Sequence, residues 1–265
     1  MKIGCCINLL ATPEDPLSIN SIPILAEAGF DYLEIPITVI ARASYEDYRK
    51  LANTIEHYGI PCEAGCNLFP GDLRVVGENV DYDNVNRWLD VALGRSLSLG
   101  VKVVVFGSPA ARNVEGDFPR EMAAVQYLQA LRRISEYMSV KMPVVIEHVC
   151  RREGNFLYTL KEGVEFCKAC GMDNVKVLAD TYHMLVEGES FDDILLAKGM
   201  LRHMHTANPD GRVYPRPDDG IDYKKLFDNC KAIGYDGRIS VEGYTKDLAK
   251  DGPIAIETLR KAMQD

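Results

Sequence analysis

Hydrophobic and polar positions along the chain fall into a recurring two-part phrase: an apolar helical stretch ends at a glycine and runs, within a few residues, into a short β-rich run. It reads AEAGFDYLEI, HYGIPCEAGCN, SLGVKVVVFG, ACGMDNVKVLAD and AIGYDGRISVEG in turn. Gly29, Gly59, Gly100, Gly171 and Gly234 suit the left-handed position that closes a helix and turns the chain back toward the core. With the runs 2–8, 143–148 and 202–206 added, the pattern predicts eight strands: 2–8, 31–36, 60–67, 101–106, 143–148, 175–180, 202–206 and 238–243. Helical patterns separate nearly all of them.

Eight units of about 33 residues, each a strand, a loop and a crossover helix, are what a closed (β/α)8 barrel of ~250 residues requires. The expected fold is therefore α/β, a single-domain TIM barrel over residues 1–265. An open doubly wound sheet fits less well, because no G-x-G-x-x-G or G-x-x-x-x-G-K-[ST] loop follows the first strand. The sequence carries no linker, charge block or low-complexity segment.

Composition narrows the partners. With 47% hydrophobic and 26% charged residues, disorder and a collagen-like chain are excluded. Thirty Lys plus Arg against 39 Asp plus Glu give a net charge of −9, a field that repels a phosphate backbone and argues against nucleic acid. Apolar runs such as Val103-Val104-Val105-Phe106 have strand length, well short of the ~18 residues of a membrane span. The first ten residues, with one Lys and an interrupting Asn8, make a poor secretion signal. Eight cysteines are too sparse for a disulfide scaffold in a chain of this size, so reduced thiols in the cytoplasm are expected. Cys167 and Cys170 form a lone C-x-x-C at a helix end, which cannot complete a tetrahedral zinc site.

The last four predicted strands share a further feature. Strand five reads PVVIEH, strand six VLAD, strand seven RHMH and strand eight ISVE, so each closes on Glu, Asp or His. Barrel chemistry assembles at these C-terminal ends. A carboxylate closing an apolar strand must be paired, hydrated or placed beside a cation. A single one pairs with an arginine readily enough; Glu147, Asp180, His205 and Glu242 on successive strands point instead to one shared cation. Three oxygens and one nitrogen, with no thiolate, favour Mn²⁺, Mg²⁺ or Co²⁺ over Zn²⁺. By strand parity His203 also faces inward, one layer deeper, in a supporting hydrogen bond, while His148 points outward toward the helices. Glu34 closes strand two, where it either contacts substrate or lines the rim. His57 reads as helix surface. Residues 67–77 read as a lid over the mouth. Arg112, in the rim loop after strand four, either meets an anionic group or is solvated.

Over nearly its whole length the chain resembles the sugar phosphate isomerase and epimerase superfamily, the xylose isomerase-like barrels that include ketose 3-epimerases, hydroxypyruvate isomerase, inosose dehydratase and endonuclease IV. The resemblance to ketose 3-epimerases implies a metal quartet at Glu147, Asp180, His205 and Glu242. It makes Glu147 and Glu242 the catalytic pair, facing each other across the substrate. Glu153, six residues after Glu147, and His183, in the D-x-x-H that begins at Asp180, match substrate-contacting residues. Arg212 matches the substrate arginine, seven residues after His205 where the family has six.

What this implies is a metal-dependent isomerase or epimerase acting on a small ketose or related polyol-carbonyl compound. One glutamate removes a proton α to the carbonyl, a divalent ion, Mn²⁺ by preference, stabilises the cis-enediolate, and the other glutamate returns the proton from the opposite face. The partner is a small-molecule sugar, with a homo-oligomer left open. An inosose-type dehydratase begins with the same proton removal and is the alternative. Endonuclease IV-like phosphodiester cleavage fits less well, since it uses a His-rich multi-zinc site and this chain has five His and a net negative charge. A non-catalytic sugar-binding barrel is disfavoured by the intact quartet and paired glutamates.

Overall fold

Strands such as Val103–Phe106 show no polar alternation, so both of their faces must be covered, and a parallel sheet wrapped by helices does this. The computed structural model, which describes residues 1–139 and 142–264, has that architecture. The strands β1 Lys2–Cys6, β2 Tyr32–Pro36, β3 Cys62–Cys66, β4 Val103–Phe106, β5 Val144–Glu147, β6 Val175–Asp180, β7 Leu201–Thr206 and β8 Arg238–Val241 form one closed barrel in chain order. β8 closes in parallel on β1, with Lys2 opposite Arg238 and Cys5 opposite Val241. This is the (β/α)8 fold expected from the repeating phrase. Among the described residues no helix is long and apolar enough to cross a membrane, and all eight cysteines are free and buried.

β6 has the predicted bounds and β7 starts one residue earlier, at Leu201, while the other strands are shorter than the sequence pattern suggests, for local reasons. Residues Ile7–Leu10 form a 3-10 turn instead of extending β1. Pro61 has no N–H for a sheet ladder, and β3 starts at Cys62. Glu242 lies one residue past β8, although its N–H still donates to Thr206 O at 3.0 Å. The five helix-closing glycines all have positive φ, from 65° at Gly59 to 95° at Gly100.

Alternation within each strand builds two cores. Cys6, Tyr32, Ala64, Cys66, Val103, Val105, Val145 and Leu178 fill the barrel interior. Val104, Phe106, Val144, Ile146, Val177 and Ala179 point the other way, into the larger core shared with the helices. The parity that sends Val145 and Leu178 inward also sends Glu147 and Asp180 inward, one layer nearer the C-terminal mouth. A bulge adjusts β7: Val177 is opposite Leu201 but Leu178 is opposite His203, so His205 comes level with Asp180. A matching irregularity skips Glu63 between β2 and β3. That carboxylate plugs the N-terminal mouth, 2.7 Å from both Lys2 Nζ and Lys102 Nζ and 2.6 Å from Arg238 Nε.

The segment 67–77, read as a lid from its length and Pro-Gly content, packs against the body of the barrel. Leu68, Phe69, Leu73, Val75 and Val76 are buried. Trp88 Nε1 donates to Leu68 O at 2.8 Å and Val75 N to Ala111 O at 2.9 Å.

Candidate active site

At the C-terminal mouth, β5 to β8 bring Glu147, Asp180, His205 and Glu242 together, with one donor atom from each lying within 4.8 Å of all the others. His205 Nδ1 is the hub: it lies 2.9 Å from Glu147 Oε1, 3.2 Å from Glu242 Oε2 and 3.9 Å from Asp180 Oδ2. All four residues are buried. Burial pushes the Asp180 carboxyl up to about 7, against the pull of His205 and Arg212. It raises Glu147 as well. On Glu242 the same burial is outweighed by His205 and Arg212, which hold the carboxyl below its ordinary value.

These residues fit a divalent cation. Asp180 Oδ1 accepts from the Tyr182 N–H at 2.8 Å, but Asp180 Oδ2 is buried with no hydrogen-bond partner. An orphaned carboxylate oxygen facing an imidazole nitrogen and two further carboxylates is a poor arrangement unless positive charge sits among them. The donor set, three carboxylates and one imidazole, suits a moderately hard ion.

The opposite edge of the His205 ring explains how Nδ1 is aimed. Its Nε2 lies 2.9 Å from Glu34 Oε1, while Glu34 Oε2 lies 2.7 Å from His203 Nε2 and accepts from Ser240 Oγ at 2.5 Å. Tyr32 OH, 2.8 Å from Ser240 Oγ, extends the chain of contacts down the barrel axis. Against burial, the surrounding carboxylates of Glu34, Glu242 and Glu147 raise the His205 pKa well above its ordinary value, and the carboxylate on Nε2 would keep the proton there when a cation takes the place of the proton on Nδ1. Burial would raise Glu34, but His205 and His203 outweigh it and hold the carboxylate well below the ordinary range. Glu34 is thus not a rim residue. It sits in the middle of β2, fully buried beneath the quartet. His203 is in the deeper inward layer expected of it.

The three residues expected to touch substrate border the quartet. Arg212 Nη2 donates to Glu242 Oε2 at 2.9 Å and Nη1 to Glu153 Oε1 at 2.9 Å, with the guanidinium carbon 4.5 Å from the Tyr182 ring centroid. Its backbone has φ of 49°, a strained value for a non-glycine residue, held by Tyr244 N donating to Arg212 O at 2.7 Å. His183 Nδ1 accepts from the Cys150 N–H at 3.2 Å, so its proton sits on Nε2, which lies 3.5 Å from Asp180 Oδ2. Burial depresses its pKa and keeps the ring neutral.

Arg112 departs from both readings offered by its rim position. It is fully buried, meets no anion, and donates to the carbonyls of Gly107 at 2.6 Å, Phe156 at 2.9 Å and Glu147 at 2.8 Å. The side chain ties the backbone of β5 at Glu147 to the loop after β4. In that loop Gly107 leaves room for Glu147, since a Cβ there would collide with Oε2. Sequence reasoning missed Gly107 and the Tyr32–Ser240–Glu34 contacts; the one local cue was an acidic residue inside an apolar strand at the parity of Tyr32. His148 points away from the quartet, with Nε2 3.5 Å from Glu189 Oε2, and His57 is exposed on its helix. On the β2 to β4 side of the mouth, opposite the quartet, a cavity of about 690 Å³ is lined by Thr38, Arg42, Asn67, Phe69 and Ser108, among others.

Residues 22–263 match the family model described as a xylose isomerase-like TIM barrel. A D-psicose 3-epimerase of Agrobacterium fabrum (strain C58 / ATCC 33970) is 37% identical over 236 residues, covering 84% of this chain and 78% of that protein. A 3-dehydro-D-guloside 4-epimerase of Escherichia coli (strain K12) is 24% identical over 260 residues, 92% of each protein. A solved D-allulose 3-epimerase from Methylomonas sp., in complex with D-allulose, superposes with a TM-score of 0.85 at 20% identity over 99% of this chain and 97% of that one. At that identity the superposition speaks for the fold, while the family model and the 37% relative speak for descent. The chain belongs to the xylose isomerase-like TIM barrel family.

Proposed function

We propose that this protein is a divalent-metal-dependent epimerase of the ketose 3-epimerase type, inverting the carbon next to a ketone in a small free sugar. The observation that carries the reading is the convergence of Glu147 and Glu242 on a buried four-residue cluster shaped for one cation. The 37% identity to a D-psicose 3-epimerase supports the substrate class. The E. coli relative is named for epimerisation at C4 of a 3-dehydro sugar, again a carbon α to a carbonyl.

In this reading Glu147, Asp180, His205 and Glu242 hold the ion, Mn²⁺ by preference with Mg²⁺ or Co²⁺ as substitutes. When bound, it supplies Lewis-acid stabilisation of negative charge on substrate oxygen. Glu147 and Glu242 flank the reacting carbon, one accepting its proton and the other delivering a proton to the opposite face of the planar enediolate, with roles exchanged in the reverse direction. Arg212 and Glu153 orient the substrate hydroxyls at the rim, and neutral His183 donates from Nε2 to a substrate oxygen.

Incubation with a panel of ketohexoses and ketopentoses in D₂O with Mn²⁺ tests this. The expected product is a C3 epimer carrying one solvent deuterium at the inverted carbon, lost on chelation and restored by added metal. Glu147→Gln and Glu242→Gln should each lower turnover by at least ~10²–10⁴-fold while keeping the fold. A dehydrated product from an inosose substrate would replace the epimerase reading with the dehydratase, and either Gln variant at near-normal rate would refute the catalytic pair.

A further inference from the structure

Beside the quartet, on the β1 and β3 side, lie two cysteines that the proposed reaction does not use. Cys6 ends β1 and Cys66 ends β3, and both side chains point into the barrel interior. Their sulfurs are 3.4 Å apart, and Cys6 Sγ lies 3.8 Å from Glu242 Oε1. Glu242 therefore shows different oxygens to its two sides: Oε2 faces His205 and Arg212, and Oε1 faces the thiols. We propose that Cys6, Cys66 and Glu242 form a second cation site, selective for soft ions of the Zn²⁺ and Cd²⁺ class, which takes Glu242 away from the quartet and thereby inhibits the enzyme.

The spacing carries the argument. Around a tetrahedral zinc, Zn–S of ~2.3 Å and Zn–O of ~2.0–2.2 Å place two sulfurs about 3.8 Å apart and a sulfur and an oxygen about 3.5 Å apart. The sulfur–sulfur distance and the distance from Cys6 Sγ to Glu242 Oε1 each stand within a few tenths of an ångström of that geometry, the donor atoms of all three residues lie within 4.8 Å of one another, and all three residues are buried. A disulfide is the competing fate of two close thiols, and the topology opposes it. β2 lies between β1 and β3, so the two backbones are separated by two strand spacings of ~4.8 Å each, whereas a disulfide needs Cα atoms within ~7 Å. The sulfurs meet only because both side chains lean inward across β2.

Donor chemistry keeps the two sites distinct. Thiolates select Zn²⁺, Cd²⁺ and Cu⁺, whereas three carboxylates and an imidazole suit Mn²⁺ or Mg²⁺. Among the other buried cysteines, Cys5 meets the Tyr214 hydroxyl at 3.1 Å, Cys230 the Met204 sulfur at 3.5 Å, and Cys150 groups with Glu153 and His183 rather than with a second thiol. Capture of the soft ion stands independently of the proposed activity; the inhibition rests on it.

The test is a Cd²⁺ titration of metal-stripped protein in the presence of saturating Mg²⁺, read by the thiolate-to-cadmium charge-transfer band in the ultraviolet and by bound metal per chain. Expected is one Cd²⁺ per chain with a thiolate band. Cys6→Ser and Cys66→Ser should each weaken binding by at least ~10²-fold, whereas Cys5→Ser keeps it. Absence of the band in the unsubstituted protein, or its persistence in Cys66→Ser, would overturn the site. In rate assays with Mn²⁺, low Cd²⁺ should suppress the unsubstituted enzyme and spare Cys66→Ser relative to its own cadmium-free rate; equal suppression of both would overturn the inhibitory role. Failure of Mn²⁺-dependent turnover in the unsubstituted protein would instead count against the epimerase reading and leave the cadmium band as the measure of the thiol site.

Discussion

Glu34 Oε1 lies 2.9 Å from His205 Nε2, a contact that crosses the barrel interior from β2 to β7. Because that carboxylate holds the Nε2 edge of the ring, it acts as a positioning residue for Nδ1, the nitrogen proposed to face the metal. Glu34→Gln should weaken divalent-metal binding by ~10–100-fold, with turnover restored toward the unsubstituted rate by excess metal. Metal titration of the stripped protein measures this, and unchanged affinity would show that Nδ1 is oriented by other contacts.

Gly107 sits where any side chain would strike Glu147 Oε2. Gly107→Ala is expected to cost about 1–3 kcal/mol of stability through overpacking and to lower kcat more than it raises KM, because the displaced group is the proposed acid–base residue. Chemical denaturation and steady-state kinetics on the same preparation separate the two effects. Full turnover in this variant would mean that Glu147 has room to reposition without loss.

Arg112 binds three carbonyl oxygens with one planar fork, packed 5.7 Å from the Tyr127 ring centroid. A lysine ammonium cannot reproduce that geometry. Arg112→Lys should therefore destabilise the fold by about 2–4 kcal/mol, as buried carbonyls lose their donors. Equilibrium unfolding checks the figure; a loss below about 0.5 kcal/mol would show that the carbonyls find other partners.

Glu63 gives a pH signature remote from the candidate site. Burial alone would raise its carboxyl, but Lys102, Lys2 and Arg238 outweigh burial and bring it down to about 2. A depressed carboxylate contributes stability that is fully present above its unfolded value of ~4.3 and is lost as pH falls toward the folded value. Glu63→Gln should cost about 1–3 kcal/mol at neutral pH, below the ~3–5 of a fully enclosed pair because Lys2 and Lys102 are half exposed. The gap between variant and unsubstituted protein should narrow from pH 4.5 toward 2. Denaturant midpoints across that range measure it, and a gap independent of pH would exclude the charge interaction as its cause.

Much of the barrel and of the quartet is legible in the chain because both depend on short-range regularities. A strand has period two, so a carboxylate two residues beyond an inward valine also faces inward; Val145 and Glu147 are such a pair, as are Leu178 and Asp180. The glycines that close helices are equally local, and the structure keeps their left-handed backbone. Arg112 was not legible, since a charged residue in a rim loop reads as solvent-exposed until three carbonyl groups from separate segments are seen to enclose it. Glu34 was not legible for a similar reason: the predicted strand 31–36 and the observed β2 both end at residue 36, two residues past Glu34, but its partners lie more than 160 residues away in sequence.

The amino-acid sequence by itself determined the number and order of the strands, the inward parity of Glu147, Asp180 and His205, and the closing of helices at Gly29, Gly59, Gly100, Gly171 and Gly234, because each follows from residues within a turn or two of one another. Only the tertiary structure decided that Glu34 supports His205 across the lumen, that Arg112 is structural, and that Cys6 and Cys66 meet beside Glu242. Those contacts exist because a sheet closed on itself brings strands distant in sequence to face one another across a space about two side chains wide, and no local pattern along the chain encodes which of them meet there.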